Sequence, residues 1–108
     1  MKRWDVYWAN VPYEDAPEQK KTRPVVICID KTVYALVIKV TSQQKRKDAQ
    51  YDYQLAFWKE CGLTCPSVVR VDKLSKLTPD AFGDYIGRLH PADIIEIQKL
   101  MVQYTNKK

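Results

Sequence analysis

Short stretches of β-branched and aromatic residues recur along the 108-residue chain, with polar turns between them, and predict a mainly-β fold. We expect strands at residues 4–10, 24–29, 33–40, 51–57, 66–71 and 83–89. The C-terminal segment differs, because apolar residues recur there on one helical face after Pro91 and predict an amphipathic helix of about 14 residues. Many short strands with one packing helix favour a small, strongly bent barrel, formed by a single domain over residues 1–108.

The net charge of +5 favours a polyanionic partner such as nucleic acid. No apolar run is long enough to span a membrane or to form a signal segment, so we expect a cytosolic protein. Cys61 and Cys65 have a C-x3-C spacing with no second pair and no nearby histidine, and Cys28 lies in an apolar run. We therefore expect neither a zinc site nor a disulfide framework.

A charged segment leads directly into the apolar stretch that begins at Pro24. Its ionisable side chains include Glu18, Lys20, Lys21 and Arg23. Because proline lacks an N–H group and restricts the residue before it, we expect Pro24 to be the first residue of a strand and Arg23 to be extended. Residues 11–22 are long for a hairpin connection, so they form either a binding loop or a mobile one.

A second polar connection, residues 42–50, carries three adjacent cations: Lys45, Arg46 and Lys47. Such a cluster is either a solvated turn or a contact that follows a phosphate backbone without reading its sequence. In the second case we expect the three side chains to contribute additively to RNA affinity.

The hairpin between the second and third predicted strands brings these two connections together. If residues 30–32 form a three-residue turn, Arg23 lies opposite Lys39 and diagonal to Thr41. Diagonal neighbours on one face lie roughly 7–8 Å apart, a gap that a phosphate can bridge. In this conditional geometry, Arg23 and a hydroxyl of Thr41 or Ser42 would hold the non-bridging oxygens.

A second set of candidate residues is Arg70 and Asp72, which lie two positions apart in a predicted strand and therefore share a face. A cation beside a carboxylate suits cleavage of RNA by its own 2′-hydroxyl. The carboxylate of Asp72 or Glu18 would accept the proton, and the arginine would stabilise the charged transition state. The alternative is a structural ion pair on a solvated sheet face.

The only histidine, His90, directly precedes Pro91, and we expect it to serve helix entry or packing. A mechanism that needs two histidines is thus excluded. The absence of an Asp/Glu/His cluster at a convincing spacing also argues against two-metal phosphodiester hydrolysis. RNA cleavage by this chain is therefore expected to need no metal or other cofactor and to leave a 2′,3′-cyclic phosphate.

Taken in order, these motifs resemble the PemK/MazF family of toxin endoribonucleases over most of the chain. The matching segments are residues 5–8, 18–24, 40–42, 68–72 and 86–91. The resemblance implies an SH3-like barrel, a homodimer, sequence-selective cleavage of single-stranded RNA, and inhibition by a cognate antitoxin with an acidic tail. In some members an arginine and an aspartate like Arg70 and Asp72 act in catalysis, and in others residues like Arg23 and Thr41 dominate.

The chain departs from the family pattern at two positions. Trp4 stands where a glycine is expected before the first-strand acidic residue, and Pro17 stands where some relatives have a histidine. The second change removes a possible RNA contact beside Glu18. The alternatives to an endoribonuclease are a noncatalytic binding module of the same barrel fold, a gyrase-poisoning toxin, and a DNA-binding regulator suggested by charge alone.

Overall fold

The computed structural model describes residues 1–13, 16, 18–42 and 50–106. These residues form β1 (Asp5–Pro12), β2 (Lys20–Asp30), β3 (Ala35–Thr41), β4 (Asp52–Gln54), β5 (Val68–Leu77), a 3₁₀ turn (Pro79–Ala81), β6 (Phe82–Arg88) and α1 (Pro91–Asn106). The predicted mainly-β fold with a C-terminal helix is confirmed, and the helix has 16 residues. Pro17 and the cations Lys45, Arg46 and Lys47 lie outside the described residues.

The described strands form one antiparallel sheet in the order β4-β5-β3-β2-β1-β6. Successive side chains of a strand point to opposite faces, and in β2 both faces are buried. Val26 and Cys28 belong to a first core, which also contains Ile97 of the covering helix. Val25 and Ile27 belong to a second core, built from the strands themselves and the 3₁₀ turn. The sheet therefore curls around the second core, as a strongly bent barrel requires.

Strand β2 begins four residues earlier than predicted, at Lys20, so Pro24 is not its first residue. β1 pairs with β2 along this whole stretch, as far as Pro12 with Lys20. On the other side, the described pairing with β3 ends at Val25. Pro24 thus lies where β2 has one paired neighbour, and a strand edge tolerates the missing N–H group. The predicted connection over residues 11–22 is correspondingly shortened to residues 13–19.

The register between β2 and β3 differs from the predicted one by two residues. The turn occupies residues 31–34 and β2 contains a bulge, so that Val25, and not Arg23, pairs with Lys39. Extending the observed register places Arg23 level with Thr41, beyond the last pair. Because the difference is an even number of residues, Arg23 and Thr41 still share a face. The predicted Arg23–Lys39 pairing is wrong, but the predicted neighbourhood of Arg23 and Thr41 remains.

Two glycines allow the connection between β4 and β5, residues 55–67, to lie directly against β6. A Cβ atom on Gly87 would lie 1.8 Å from the carbonyl oxygen of Cys61. Gly62 has a φ of +101°, and its Cβ would lie 2.5 Å from the carbonyl oxygen of Ile86. Both contacts involve main-chain atoms, which cannot move aside like the end of a flexible side chain. This close approach determines where the connection stands.

Gly87→Ala should lower the free energy of unfolding by about 1–3 kcal/mol, because the added methyl group overlaps the Cys61 carbonyl. Gly83→Ala is the matched control in the same strand. Its Cβ would meet Trp8 at 3.6 Å and 3.7 Å, which is ordinary contact. Urea unfolding of both variants measures the difference. Equal stability of the two variants would contradict the close packing of residues 55–67 on β6.

Trp4 adopts the backbone conformation that explains the glycine expected at this position. Its φ is +76°, in the left-handed region that non-glycine residues seldom occupy. Two main-chain hydrogen bonds hold Trp4 in place. Its N–H donates to the carbonyl oxygen of Ile27 at 2.8 Å, and its carbonyl oxygen accepts from the N–H of Leu89 at 3.0 Å. The ring is buried in the first core, so packing offsets the strain.

Asp93 at the start of α1 ties the helix to the beginning of the connection over residues 55–67. Its fully buried carboxylate accepts hydrogen bonds from the Tyr53 hydroxyl at 2.6 Å and from the N–H groups of Ala56 and Phe57 at 3.0 and 2.9 Å. Burial and the hydrogen bond to Asp93 raise the pKa of Tyr53. The tyrosine therefore remains a donor to Asp93 throughout the neutral range.

His90 has the structural role expected from the sequence. Its Nδ1 atom accepts a hydrogen bond from the N–H of Ala92 at 3.1 Å, which satisfies one free donor of the first helical turn. Its ring stacks on Phe57 with the centroids 3.9 Å apart. The prediction of helix entry and packing is thus confirmed.

Candidate active site

A pocket opens where β2 and β3 separate. The described pairing ends at Val25 and Lys39, and Pro24, the next residue of β2, has no N–H group with which to extend the ladder. Beyond this point β2 continues along β1 while β3 continues along β5. The pocket has a volume of about 510 Å³ and reaches from β2 and β3 to the connection over residues 62–67 and to β6.

One wall of this pocket is cationic and carries hydroxyl groups. It is formed by Lys21 and Arg23 of β2, and by Thr41 and Ser42 at the end of β3. Thr22 also lines it, but its hydroxyl donates to the Asn10 side chain at 2.7 Å and thereby fastens β2 to β1. Among the described residues that were predicted to act in catalysis or RNA binding, Lys21, Arg23, Thr41 and Ser42 line this pocket together.

Arg23 has a buried side-chain donor without an acceptor. Its Nε atom is shielded from solvent and has no hydrogen-bond partner among the described residues. A buried polar group left unsatisfied costs about 1–3 kcal/mol, so such groups are rare in folded proteins. An anion in the adjoining pocket would supply the acceptor. The oxygen of a phosphate group fits this requirement, because a guanidinium binds phosphate through charge-assisted hydrogen bonds.

The pocket is also lined by residues outside the predicted catalytic and RNA-binding sets. Trp8 of β1 is 39 % exposed, and Asp84 of β6 is exposed beside it. The connection contributes Leu63 and Thr64, and Gly62 and Gly87 set its position. Trp8 lies in an apolar, aromatic strand and therefore resembles a core residue in the sequence. Only the register of β1 between β2 and β6 reveals that its ring reaches a pocket.

Arg70 and Asp72 are not among the described residues that line this pocket. The Nε atom of Arg70 is 3.9 Å from the Oδ2 atom of Asp52, whose side chain is fully buried. Asp72 lines a different cavity of about 450 Å³, together with Lys39. Val69 and Val71, which alternate with Arg70 in the strand, belong to the first core. The contact between Arg70 and Asp52 fits the ion-pair alternative for Arg70.

A break interrupts the register between β3 and β5 within the second candidate set. Ile38 pairs with Leu74 whereas the next residue, Lys39, pairs with Arg70, so residues 71–73 are inserted between these two register positions. Arg70 lies on the Thr41 side of this insertion, and Asp72 lies within it. Sequence spacing alone places Arg70 and Asp72 on one face but does not reveal the insertion.

Glu18 and Lys20 are exposed and are not among the described residues that line the pocket. Lys20 lies near Asp80: the pKa of that carboxyl is lowered, chiefly by a hydrogen bond from Thr78 and to a smaller extent by the charge of Lys20. Within the described residues, no group of three His, Cys, Asp or Glu side chains is placed to hold a metal ion.

The three cysteines are free thiols in different surroundings. Burial raises the pKa of Cys28 and Cys61, which makes both thiols poor nucleophiles. Cys65 is exposed and lines the pocket. A thiol reagent should therefore reach Cys65 before the other two.

The fold is similar to that of several solved toxin structures. One is an endoribonuclease in complex with its cognate antitoxin from a mycobacterial species, with 18% identity, a TM-score of 0.76, and coverage of 100% of this chain and 97% of that chain. The Mycobacterium tuberculosis toxin MazF-mt6 has 19% identity, a TM-score of 0.69, and coverage of 94% and 98%. MazE-MazF from Deinococcus radiodurans has 13% identity, a TM-score of 0.71, and coverage of 100% and 97%.

At these identities the structural matches establish the shared fold. A comparison with curated protein sequences finds no match. None of the described helices is both long and apolar enough to cross a membrane. The sequence model of one family, described as PemK-like, MazF-like toxin of type II toxin-antitoxin system, matches residues 2–104. Because this match spans nearly the whole chain, as the sequence motifs led us to expect, the protein belongs to the family of PemK-like, MazF-like toxins of type II toxin-antitoxin systems.

Proposed function

We propose that this toxin is an endoribonuclease that cuts single-stranded RNA at selected sequences, without a metal ion, through attack by the RNA's own 2′-hydroxyl. The observation that carries the proposal is the buried Nε donor of Arg23, which lacks an acceptor in the described residues and adjoins a pocket with the hydroxyl-bearing Thr41 and Ser42. Two solved structures with the same fold are described as endoribonucleases, which supports the same activity here.

In the proposed reaction the scissile phosphate lies between Arg23 and the end of β3. The 2′-oxygen attacks phosphorus and loses its proton, and the bond to the 5′-oxygen breaks as that oxygen gains a proton. The products are a 2′,3′-cyclic phosphate and a free 5′-hydroxyl. Arg23 and Lys21 stabilise the extra negative charge of the phosphorane-like transition state, and the Thr41 hydroxyl orients a non-bridging oxygen. Arginine keeps its proton at any physiological pH, so its role is electrostatic.

Electrostatic stabilisation carries most of the catalysis in this proposal. Glu18 and Asp72, the carboxylates considered as bases, are not among the described residues that line the pocket. In this proposal the 2′-hydroxyl proton passes to water in the open pocket, and the leaving 5′-oxygen takes its proton from water. Arg70 has a structural role in this proposal, because its ion pair with the buried Asp52 joins β5 to β4.

RNA cleavage should proceed at an unchanged rate in EDTA, since the proposed transition state is stabilised by side-chain charge alone. A long RNA of defined sequence is incubated with the purified toxin, and the product ends are identified chemically. We expect 2′,3′-cyclic phosphates and 5′-hydroxyls at a restricted set of sequences. Products with 5′-phosphates, or cleavage that returns only with added Mg²⁺, would contradict the mechanism.

The proposed partner in the cell is an antitoxin with an acidic tail that covers the same pocket. Lys20, Lys21 and Arg23 would pair with its carboxylates, joined by Lys45 from outside the described residues. Trp8 is a suitable apolar anchor, because it is 39 % exposed, whereas Trp58 packs against the first core. The mycobacterial and Deinococcus structures are described as complexes with a cognate antitoxin or with MazE, which supports an antitoxin partner for this chain. We also propose that the toxin is a homodimer.

Expression of the chain alone should arrest growth, and co-expression with the small reading frame adjacent to its gene should restore it. The expected complex would be isolated by affinity capture of the toxin and its subunit ratio measured by light scattering, which also tests the homodimer. Trp8→Ala should shorten the lifetime of the complex. Normal growth without the second gene, together with no complex, would count against the toxin assignment in this cell.

A further inference from the structure

Three neighbouring strands, β2, β1 and β6, form the pocket wall that carries Trp8 and Asp84. Trp8 of β1 pairs with Pro24 of β2 on one side. On the other side, Tyr7 pairs with Tyr85 and Ala9 with Phe82, so that Gly83 and Asp84 together stand opposite the single residue Trp8. A Cβ on Gly83 would lie 3.7 Å from the Cβ of Trp8, which shows how closely β6 packs there. Adjacent strands are about 4.8 Å apart, so the backbone at Asp84 lies roughly 10 Å from β2. Arg23 is the residue of β2 that precedes Pro24.

The Trp8 ring and the Asp84 carboxylate are both available to a ligand. Trp8 is 39 % exposed and, within the described part of the chain, its ring takes no part in an aromatic or cation–π contact. Asp84 is exposed and makes no hydrogen bond or ion pair with any described residue. A free carboxylate beside a cationic phosphate site would repel the phosphate itself. It suits instead a neutral group that donates hydrogen bonds.

A nucleobase combines the two properties that this wall requires. Its flat face can stack on an exposed indole, the usual arrangement for single-stranded nucleic acid. Its edge can donate hydrogen bonds to a carboxylate, which accepts only. Guanine presents two adjacent donors, N1–H and the N2 amino group, that match the two carboxylate oxygens. Adenine, cytosine and uracil each set an acceptor beside the donor, and that acceptor would face a carboxylate oxygen.

We propose that Trp8 and Asp84 form a guanine-selective subsite beside Arg23, which determines where the toxin binds and cuts RNA. This inference rests on the proposed function, because it assumes that the nucleotide's phosphate lies at Arg23. Trp8 stacks on the base and contributes affinity for any nucleotide. Asp84 accepts the paired hydrogen bonds and contributes the selectivity.

Short single-stranded oligonucleotides with 2′-O-methyl groups are the probes, because they lack the nucleophile and report binding without cleavage. Four otherwise identical probes carry G, A, C or U at one central position, and a fifth carries inosine, which lacks the N2 amino group. We expect the wild-type toxin to bind the guanine probe about 10- to 100-fold more tightly than the A, C and U probes. The affinity for the inosine probe should lie between the affinity for the guanine probe and those for the A, C and U probes.

Two variants separate stacking from selectivity. Asp84→Asn should remove the guanine preference, because an amide sets a donor against one of the two guanine donors. Trp8→Ala should weaken the binding of every probe by about 10-fold and preserve the order of their affinities. Trp8→Phe should restore most of the lost affinity. The controls are Glu60→Gln and Tyr13→Ala, an exposed carboxylate and an exposed aromatic outside the pocket lining. Both should bind like the wild type.

A guanine preference that survives Asp84→Asn, a preference for another base, or equal binding of all probes would overturn the subsite. Unmodified RNA is tested in parallel. Cleavage without guanine-selective binding would overturn the subsite and leave the proposed endoribonuclease standing. Guanine-selective binding that Asp84→Asn abolishes, without cleavage of any RNA, would support the subsite and overturn the proposed reaction.

Discussion

Arg23→Ala should lower the rate of RNA cleavage by about 10²- to 10³-fold, the usual effect of removing one preorganised charge from a developing oxyanion. The fold should remain intact, because the Nε atom of Arg23 makes no hydrogen bond with any described residue. Removing that group even relieves an unsatisfied donor. Single-turnover cleavage of a defined RNA measures the rate, and thermal unfolding of the same preparation measures stability.

Two further arginine variants locate the catalytic charge. Arg23→Lys keeps the positive charge but loses the planar fork of donors, so we expect it to recover only part of the rate. Arg70→Ala should mainly reduce stability, because it leaves the buried Asp52 carboxylate without its arginine, 3.9 Å away in the wild type. Loss of cleavage in a folded Arg70→Ala protein, with normal cleavage by Arg23→Ala, would show that Arg70 and Asp72 are the catalytic set. Normal cleavage by both would favour a noncatalytic binding module.

Asp93→Ala should lower the free energy of unfolding by about 3–5 kcal/mol, a large part of the stability of a domain this size. The substitution leaves the Tyr53 hydroxyl and the N–H groups of Ala56 and Phe57 without their acceptor in a buried site. It also detaches α1 from the connection that walls the pocket. Urea unfolding measures the stability, and cleavage by the folded fraction should fall as the wall loosens.

Glu96→Gln is the matched control on the same helix, because Glu96 is exposed and contacts only Lys99 in the described residues, at 3.2 Å. Its effect should remain within about 0.5 kcal/mol. The stability of Asp93→Asn should lie between the stabilities of Asp93→Ala and Glu96→Gln. The amide keeps one acceptor oxygen but places a donor where a second acceptor is needed. An Asp93→Ala protein as stable as the Glu96→Gln control would show that the carboxylate does not hold the connection.

The secondary structure and the family were predictable because they depend on local pattern. β-branched and aromatic residues fit the pleated strand, and the period of apolar residues after Pro91 specifies the helix. Arg23 and Thr41 were identified through local motifs, the arginine that precedes Pro24 and the polar residues that follow the third apolar stretch. His90 at the helix entry was predicted for the same reason.

The tertiary structure decided what lies across from each of these residues. Strand register depends on turn length and bulges, and both are set by packing between elements that are distant in sequence. The observed hairpin register differs by two residues from the predicted one, so that Lys39 pairs with Val25 and not with Arg23. In β5, residues 71–73 are inserted in the register with β3.

The same dependence on distant partners explains the residues that the sequence did not reveal as functional. Asp93 appears in the sequence as an ordinary first-turn acid, and its role follows from donors that lie 36 to 40 residues earlier. Trp8 and Asp84 become a site because β1 pairs with β6. The sequence by itself therefore determined the elements, the family and the Arg23–Thr41 pair. The fold decided which of the charged and aromatic residues share a pocket, since that choice depends on long-range pairing that no local pattern encodes.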